Sequence, residues 1–338
     1  MQLYKNLMRP LLFTLEPETA WHLSDLGLSQ TWFWKIMGRG FQHHNEFLGA
    51  TVAGIPIKNP VGLAAGYDKN CRFLPSLQEL GFGYVMGGTI TKDPRPGNPK
   101  PRVIRLKDQS ALINALGFPG DGLEKVLSEI SEMASVPKKS VRIMSVSGTD
   151  IPDIAECHQQ LEPFCDAIEL NISSPNTKGL RIFQEPAKLR SLLAEINQSR
   201  SKPILVKMPP FKLENGDDEK TLNLGRICLE EKVESLTVSN TIPIQHDGLA
   251  VGQGGLSGSP LFENTIAMVE TYQAEFGDKI EINACGGISN GYQAYEALKS
   301  GASSIQILTS LIYEGPRVVQ SINKELSELF TNRGDPRN

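Results

Sequence analysis

Ala167-Ile-Glu-Leu-Asn-Ile-Ser-Ser-Pro-Asn-Thr177 runs from an apolar stretch into a knot of two asparagines, two serines and a proline. Residues 167–172 have the length and content of a buried strand. Taken alone, the polar tail reads equally well as a turn, since Asn, Ser and Pro are turn formers. Its place in the chain gives it weight, because α/β folds open their sites where parallel strands end.

Seven further apolar runs of strand character surround this one, at 61–65, 84–90, 141–146, 204–208, 235–238, 280–284 and 304–308. Helix-like stretches follow the eight in turn, near 72–80, 121–134, 153–164, 186–199, 218–232, 262–276, 291–300 and 315–329. Eight such alternations over about 290 residues predict a (β/α)8 TIM barrel. A doubly wound open sheet would call for G-x-G-x-x-G after its first strand, and Gly62-Leu-Ala-Ala-Gly66 does not supply it. Gly252-Gln-Gly-Gly-Leu-Ser257 is a near miss, read as a loop.

Composition narrows the function. The 338 residues carry a net charge of −4, with Lys and Arg scattered rather than striped, so nucleic acid is not an expected partner. Five cysteines without a C-x-x-C pair argue against a zinc site or a disulfide framework, and a reducing cytoplasm fits them. No metal is expected from the ligand spacings. No apolar stretch approaches the roughly 20 residues that span a bilayer, and Met1-Gln-Leu-Tyr-Lys-Asn lacks a signal-peptide layout. Trp21, Trp32 and Trp34 nonetheless crowd the N-terminus among Leu3, Leu7, Leu11, Leu26, Phe33 and Ile36, with Pro10 and Pro17 dividing short helices. Two readings fit that segment: a helical cap on the main domain, or amphipathic helices resting in a membrane interface. The boundary is expected at residue 45, with the catalytic barrel over 46–338.

In a barrel the chemistry belongs at the strands' carboxyl ends. There the sequence places Lys69, Thr89, Asn171 with Ser174 and Asn176, Lys207, Ser239 with Asn240 and Thr241, Gly286-Gly287, and Thr309-Ser310. Asn114 joins them from the long insertion over 94–119. Such a set of neutral amides and hydroxyls with two lysines and no carboxylate pair suits a planar, amide-bearing, anionic ligand. The glycines ending strand seven and Thr309-Ser310 ending strand eight lie where barrels commonly bind phosphate, so a phosphate-bearing cofactor is expected.

With these residues in view the sequence resembles dihydroorotate dehydrogenase of the membrane-associated, quinone-using class. Seven segments in order carry the resemblance: Asn59-Pro-Val-Gly-Leu-Ala-Ala-Gly-Tyr-Asp-Lys-Asn70, Gly87-Gly-Thr-Ile-Thr91, Arg95-Pro-Gly-Asn-Pro-Lys-Pro-Arg102, Leu112-Ile-Asn-Ala-Leu-Gly-Phe118, Asn171-Ile-Ser-Ser-Pro-Asn-Thr177, Gly254-Gly-Leu-Ser-Gly-Ser-Pro-Leu261 and Gly286-Gly-Ile288. The resemblance implies one bound FMN and oxidation of dihydroorotate to orotate in pyrimidine synthesis, with a membrane quinone as acceptor. It implies that a base takes a proton from ring C5 while hydride leaves C6 for flavin N5. That base is a cysteine in cytosolic relatives and a serine in the quinone class; Ser174 holds the position here.

Matched position by position, the resemblance assigns Asn114, Asn171, Asn176, Asn240 and Thr241 to substrate, and Lys69 to both substrate and flavin. It assigns Lys207 to the flavin ring, and Ala65, Gly66, Thr89, Ser239, Gly258, Gly287, Leu308 and Thr309 to other flavin contacts; Asn171 also falls in this shell. It makes the N-terminal helices the quinone's apolar entrance and implies a monomer held peripherally on the cytoplasmic side of the inner membrane. Three positions depart from the pattern: Met144 stands where a flavin-facing Asn is expected, Leu308 where Tyr is usual, and Ser239 where Thr is usual. Met208-Pro-Pro-Phe211 looks more like the cytosolic class. These departures leave open a paralogue acting on another dihydropyrimidine or cyclic amide, or a flavin-binding protein without activity.

Overall fold

The computed structural model describes residues 3–133, 136–173, 180–211 and 218–337. Three N-terminal helices come first, α1 (Arg9–Thr14), α2 (Pro17–Leu28) and α3 (Thr31–Met37), and then a hairpin of β1 (Ala50–Val52) and β2 (Ile55–Ile57). Eight parallel strands follow and close on themselves: β3 (Val61–Asp68), β4 (Tyr84–Ile90), β7 (Val141–Val146), β8 (Ala167–Asn171), β9 (Ile204–Lys207), β10 (Ser235–Val238), β13 (Glu281–Cys285) and β14 (Ser304–Ile307). Each pairs with its predecessor in the barrel, and β14 returns to β3. The expected barrel is therefore observed, with every strand where the apolar runs placed it. Helices α4 (Leu74–Leu77), α5 (Leu123–Glu132), α6 (Ile151–Leu161), α7 (Pro186–Asn197), α8 (Asp218–Glu230), α9 (Phe262–Phe276), α10 (Gly291–Lys299) and α12 (Val318–Arg333) wrap it, and a short extra helix, α11 (Thr309–Glu314), follows β14.

These strands form because they bury both faces, which makes them continuous apolar runs rather than alternating ones. Outward residues such as Val85, Met144, Ile168, Val206 and Ile305 pack beneath the helices. Inward residues Tyr84, Met86, Ile143, Ala167 and Leu205 form an apolar floor, which the β1–β2 hairpin plugs with Val52, Ala53 and Ile57. Tyr84 fits only because its neighbour on β3 is Gly62, where a Cβ would lie 2.1 Å from the ring. Asn283 and Ser304 bond at the level of the Tyr84 hydroxyl, and toward the mouth the inward positions Ser145, Glu169, Thr237 and Gln306 are polar and buried. The interior thus grades from an apolar base to a polar mouth.

Two insertions build a second sheet beside that mouth. Strands β5 (Val103–Leu106) and β6 (Ala111–Asn114), from the insertion after β4, pair with β11 (Ile242–Gln245) and β12 (Gln253–Gly258), in the order β11-β12-β6-β5. The glycine-rich stretch 252–257, expected as a loop, therefore lies largely in a strand. It does so because Gly255 faces Asn114 and Leu256 faces Ile113 across an antiparallel ladder, which needs no side chain from the glycines.

The N-terminal helices cover the mouth. Tyr4 Oη donates to Ile312 O at 2.6 Å, Arg9 to Tyr313 O at 3.0 Å, and Phe13 meets the Tyr313 ring edge-on at 5.2 Å. Arg102, immediately before β5, pairs with Glu18 of α2 at 2.8 Å, with both side chains mostly buried. Pro17 opens α2 at its first turn, as its missing N–H allows. Pro10 does not divide a helix as expected; it sits in the first turn of α1, continuous with the turn over Tyr4–Met8. No described helix is long and apolar enough to cross a membrane.

Candidate active site

One cavity of about 970 Å3 occupies the mouth. Its floor is polar, made of Asn171, Lys207, Ser239, Asn240 and Thr241 at the ends of β8, β9 and β10. The cavity continues without interruption into a vestibule between α1, α2 and α3, lined by Leu12, Phe13, Trp34 and Met37. Every described residue that the sequence assigned to the site lines this one space: Ala65, Gly66, Lys69, Thr89, Asn114, Asn171, Lys207, Ser239, Asn240, Thr241, Gly258, Gly287, Leu308 and Thr309. Ser174 and Asn176 fall outside the described residues.

The floor is one hydrogen-bonded assembly. Asn240 Nδ2 donates to Ser173 Oγ at 2.8 Å, and Asn240 Oδ1 accepts the Thr241 N–H at 2.8 Å. Ser173 donates through its N–H and its hydroxyl to Asn171 Oδ1, at 3.2 and 2.9 Å. Asn171 Nδ2 in turn donates to Thr89 Oγ1 at 3.1 Å. Lys207 is only 5% exposed, yet among the described residues it forms no ion pair. A buried cation without a counter-charge is costly and favours an anionic or electron-rich occupant.

Opposite the floor, Gly286 and Gly287 follow β13 with φ of 141° and 75°. A side chain at Gly287 would put its Cβ 2.4 Å from Phe262 N, so only glycine lets the backbone bend there. The N–H groups of both glycines meet no acceptor among the described residues. Thr309 Oγ1 is bonded to Ser257 Oγ at 3.0 Å, tying the start of α11 to the side sheet.

At the rim, Lys69 lies with Nζ 3.4 Å above the centroid of Trp21, a cation–π contact. Burial pushes its ammonium down to about 7, against the pull of Asp25 and Asp68. Asp68 accepts the N–H groups of Arg72 at 2.9 Å and Phe73 at 2.7 Å, while burial raises it to about 7. Asp25 of α2 is raised to about 6, again chiefly by burial, and its Oδ1 has no hydrogen-bond partner among the described residues. An acid whose folded value lies above its ordinary value of 3.8 loses stability as pH rises through that interval. Asp25→Asn is therefore expected to raise the melting temperature at pH 8 but not at pH 4. Partial exposure and the lost attraction for Lys69 reduce the gain to about 1 kcal/mol; equal gains at both pH values would refute the burial cost.

Met144 does not take the flavin-facing place expected for it. It is fully buried in the layer between barrel and helices, because side chains alternate along a strand and a shift of one residue exchanges the faces. The inward residue at this level is Ser145, which donates to Glu169 Oε1 at 3.0 Å. Sequence reasoning missed Ser145, Glu169, Thr237 and Gln306. The available signal was the acid of Glu169 inside an otherwise apolar run, two residues before Asn171.

The comparisons agree with this architecture. A family model described as dihydroorotate dehydrogenase matches residues 47–330. A relative from Allorhizobium ampelinum, named dihydroorotate dehydrogenase (quinone), is 35% identical over 98% of this chain and 93% of its own. One from Coxiella burnetii with the same name is 35% identical over 93% of this chain and 94% of its own. Among solved structures, DHODH from Eimeria tenella in complex with ferulenol superposes with a TM-score of 0.81 at 28% identity, covering 95% of this chain and 94% of that one. The ligand-free form from the same organism gives 0.78 at 29% identity, over 90% and 95%. The chain belongs to the dihydroorotate dehydrogenase family of oxidoreductases, alongside relatives that carry the quinone designation.

Proposed function

We propose that the chain binds FMN at the barrel mouth, oxidises dihydroorotate to orotate there, and delivers the electrons to a membrane quinone entering between α1, α2 and α3. One observation carries this reading: the cavity joins a polar, amide-lined floor to an apolar vestibule without a wall between them. A flavin at the junction would touch both. The residues fit the group, since the N–H groups of Gly286 and Gly287, without an acceptor among the described residues, offer donors to a phosphate. Thr89, Asn171 and Lys207, which forms no ion pair among the described residues, would hold the ring.

When bound, FMN supplies a two-electron acceptor for a hydride. The chain's residues do the rest. Asn114, Asn171, Asn176, Asn240 and Thr241 match the ring amides of the substrate, and Lys69 its carboxylate. Ser174 takes the proton from C5. Lys207 offsets negative charge beside the flavin, as a fixed cation does best in a dry site, while α1–α3 keep water from the mouth. Lys207→Met is expected to weaken FMN binding roughly 10–100-fold, the worth of one charge-assisted hydrogen bond; ultrafiltration of the purified protein measures it, and undiminished retention would remove Lys207 from the flavin site.

The outer faces of the N-terminal helices support peripheral membrane contact: Leu11, Leu26 and Ile36 are 63%, 67% and 67% exposed. Apolar side chains gathered this densely mark an interaction surface, and with Trp32 beside them they suit a bilayer interface, placed here on the cytoplasmic side of the inner membrane. Steady-state assay with dihydroorotate and a short-chain quinone tests the whole reading. Turnover is expected; a flavin-loaded protein that turns over neither would sink it.

A further inference from the structure

Glu169 lies inside the barrel with no solvent exposure, two residues before Asn171 on β8. Its Oε1 accepts from Ser145 at 3.0 Å and its Oε2 from Thr237 at 2.8 Å. Each hydroxyl has a single proton. Ser145, having given its proton to Glu169, must accept from Thr89 Oγ1 at 3.0 Å. Thr89 therefore accepts from Asn171 Nδ2. That turns Asn171 Oδ1 toward Ser173, which in turn accepts from Asn240 Nδ2. On the other side Thr237 accepts from Gln306 Nε2 at 3.3 Å. Two donor chains thus converge on one side chain, and only a group that accepts at both ends can terminate them.

We propose that Glu169 is a positioning residue that sets the hydrogen-bond polarity of the site. The Ser173 and Thr241 N–H groups already hold the Asn171 and Asn240 oxygens; by taking the Ser145 proton, Glu169 leaves Thr89 Oγ1 to accept from Asn171 Nδ2, so the far edge of that amide is satisfied in the same orientation. This rests on the reading that FMN occupies the mouth. The two arms differ in tolerance. Gln306 Oε1 is buried without a partner, so a rotated Gln306 can accept the Thr237 proton if Glu169 stops doing so. The Ser145 arm has no spare acceptor of this kind among its members.

The difference defines the test, read as FMN retention and the visible spectrum of the bound flavin. Glu169→Leu and Ser145→Ala are each expected to weaken FMN about tenfold, the effect of one misdirected buried hydrogen bond, and to shift the spectrum. Their double variant goes no further than the larger single, since both act on one arm. Glu169→Gln keeps an oxygen toward Ser145 while Gln306 absorbs the inverted arm, and it restores wild-type retention and spectrum. If Glu169→Leu does not fold, Ser145→Ala carries the test. Wild-type behaviour of Ser145→Ala overturns the proposal, and so does a Glu169→Gln that fails like Glu169→Leu, which would make charge rather than direction the cause. A wild-type protein that holds no FMN would instead overturn the proposed function.

Discussion

Ser174→Ala is expected to keep its yellow flavin and to lose flavin reduction by dihydroorotate by about 10²–10⁴-fold, the usual worth of a positioned acid–base group. Ser174 follows directly on Ser173, whose hydroxyl and N–H are both fixed to Asn171 Oδ1. Asn240 holds the same Ser173 hydroxyl from the other side, so the residue immediately before Ser174 is anchored. A serine hydroxyl is a weak base at its ordinary pKa and needs a route for its proton. No histidine lines the cavity among the described residues, so a serine–histidine relay is not what the site offers. The described cavity floor offers amides and hydroxyls, and we expect the proton to leave through these or through water. Anaerobic stopped-flow at the flavin band reads the step; bleaching at the wild-type rate would show that Ser174 is not the base.

The second large effect is expected at the opposite end of the cavity. A triple variant, Leu11→Gln with Leu26→Gln and Ile36→Gln, should lose binding to anionic phospholipid vesicles by roughly 100-fold or more. Burying one such side chain contributes about 1.5–3 kcal/mol, so even partial immersion of three exceeds that factor. None of the three lines the cavity, so flavin reduction by dihydroorotate and turnover of a short-chain quinone should stay as they are. Turnover of a long-chain quinone in vesicles should fall with binding. Vesicle sedimentation beside the two assays separates the outcomes: retained binding would make these helices a structural cap alone. Their packing shows that they are at least that, since Leu28 O accepts the buried Ser76 hydroxyl at 2.6 Å.

The barrel was legible because its eight strands are buried on both faces, which writes them as unbroken apolar runs. The same property hid the direction of each side chain. With no polar face to mark register, the apolar run cannot tell Met144, which faces the helices, from Ser145, one residue on, which faces the barrel interior. Glu169 lies within an apolar strand, and its direct partners come from two other strands, β7 and β10, which no local pattern reveals. The side sheet escaped for a different reason. Its strands β5, β6 and β11 are four residues long and β12 begins Gln253-Gly-Gly, so glycine signalled a loop where long-range pairing decided the matter. The described strand-end residues, by contrast, line one cavity, because barrel topology alone brings them to one mouth.

The central claim is that this mouth holds FMN and that dihydroorotate reduces it. The most direct measurement is the absorbance spectrum of the purified protein, recorded anaerobically before and after adding dihydroorotate. The account predicts an oxidised flavin spectrum at first, bleached on addition and restored by a quinone. A protein without flavin, or one whose bound flavin keeps its colour in the presence of dihydroorotate, would contradict it.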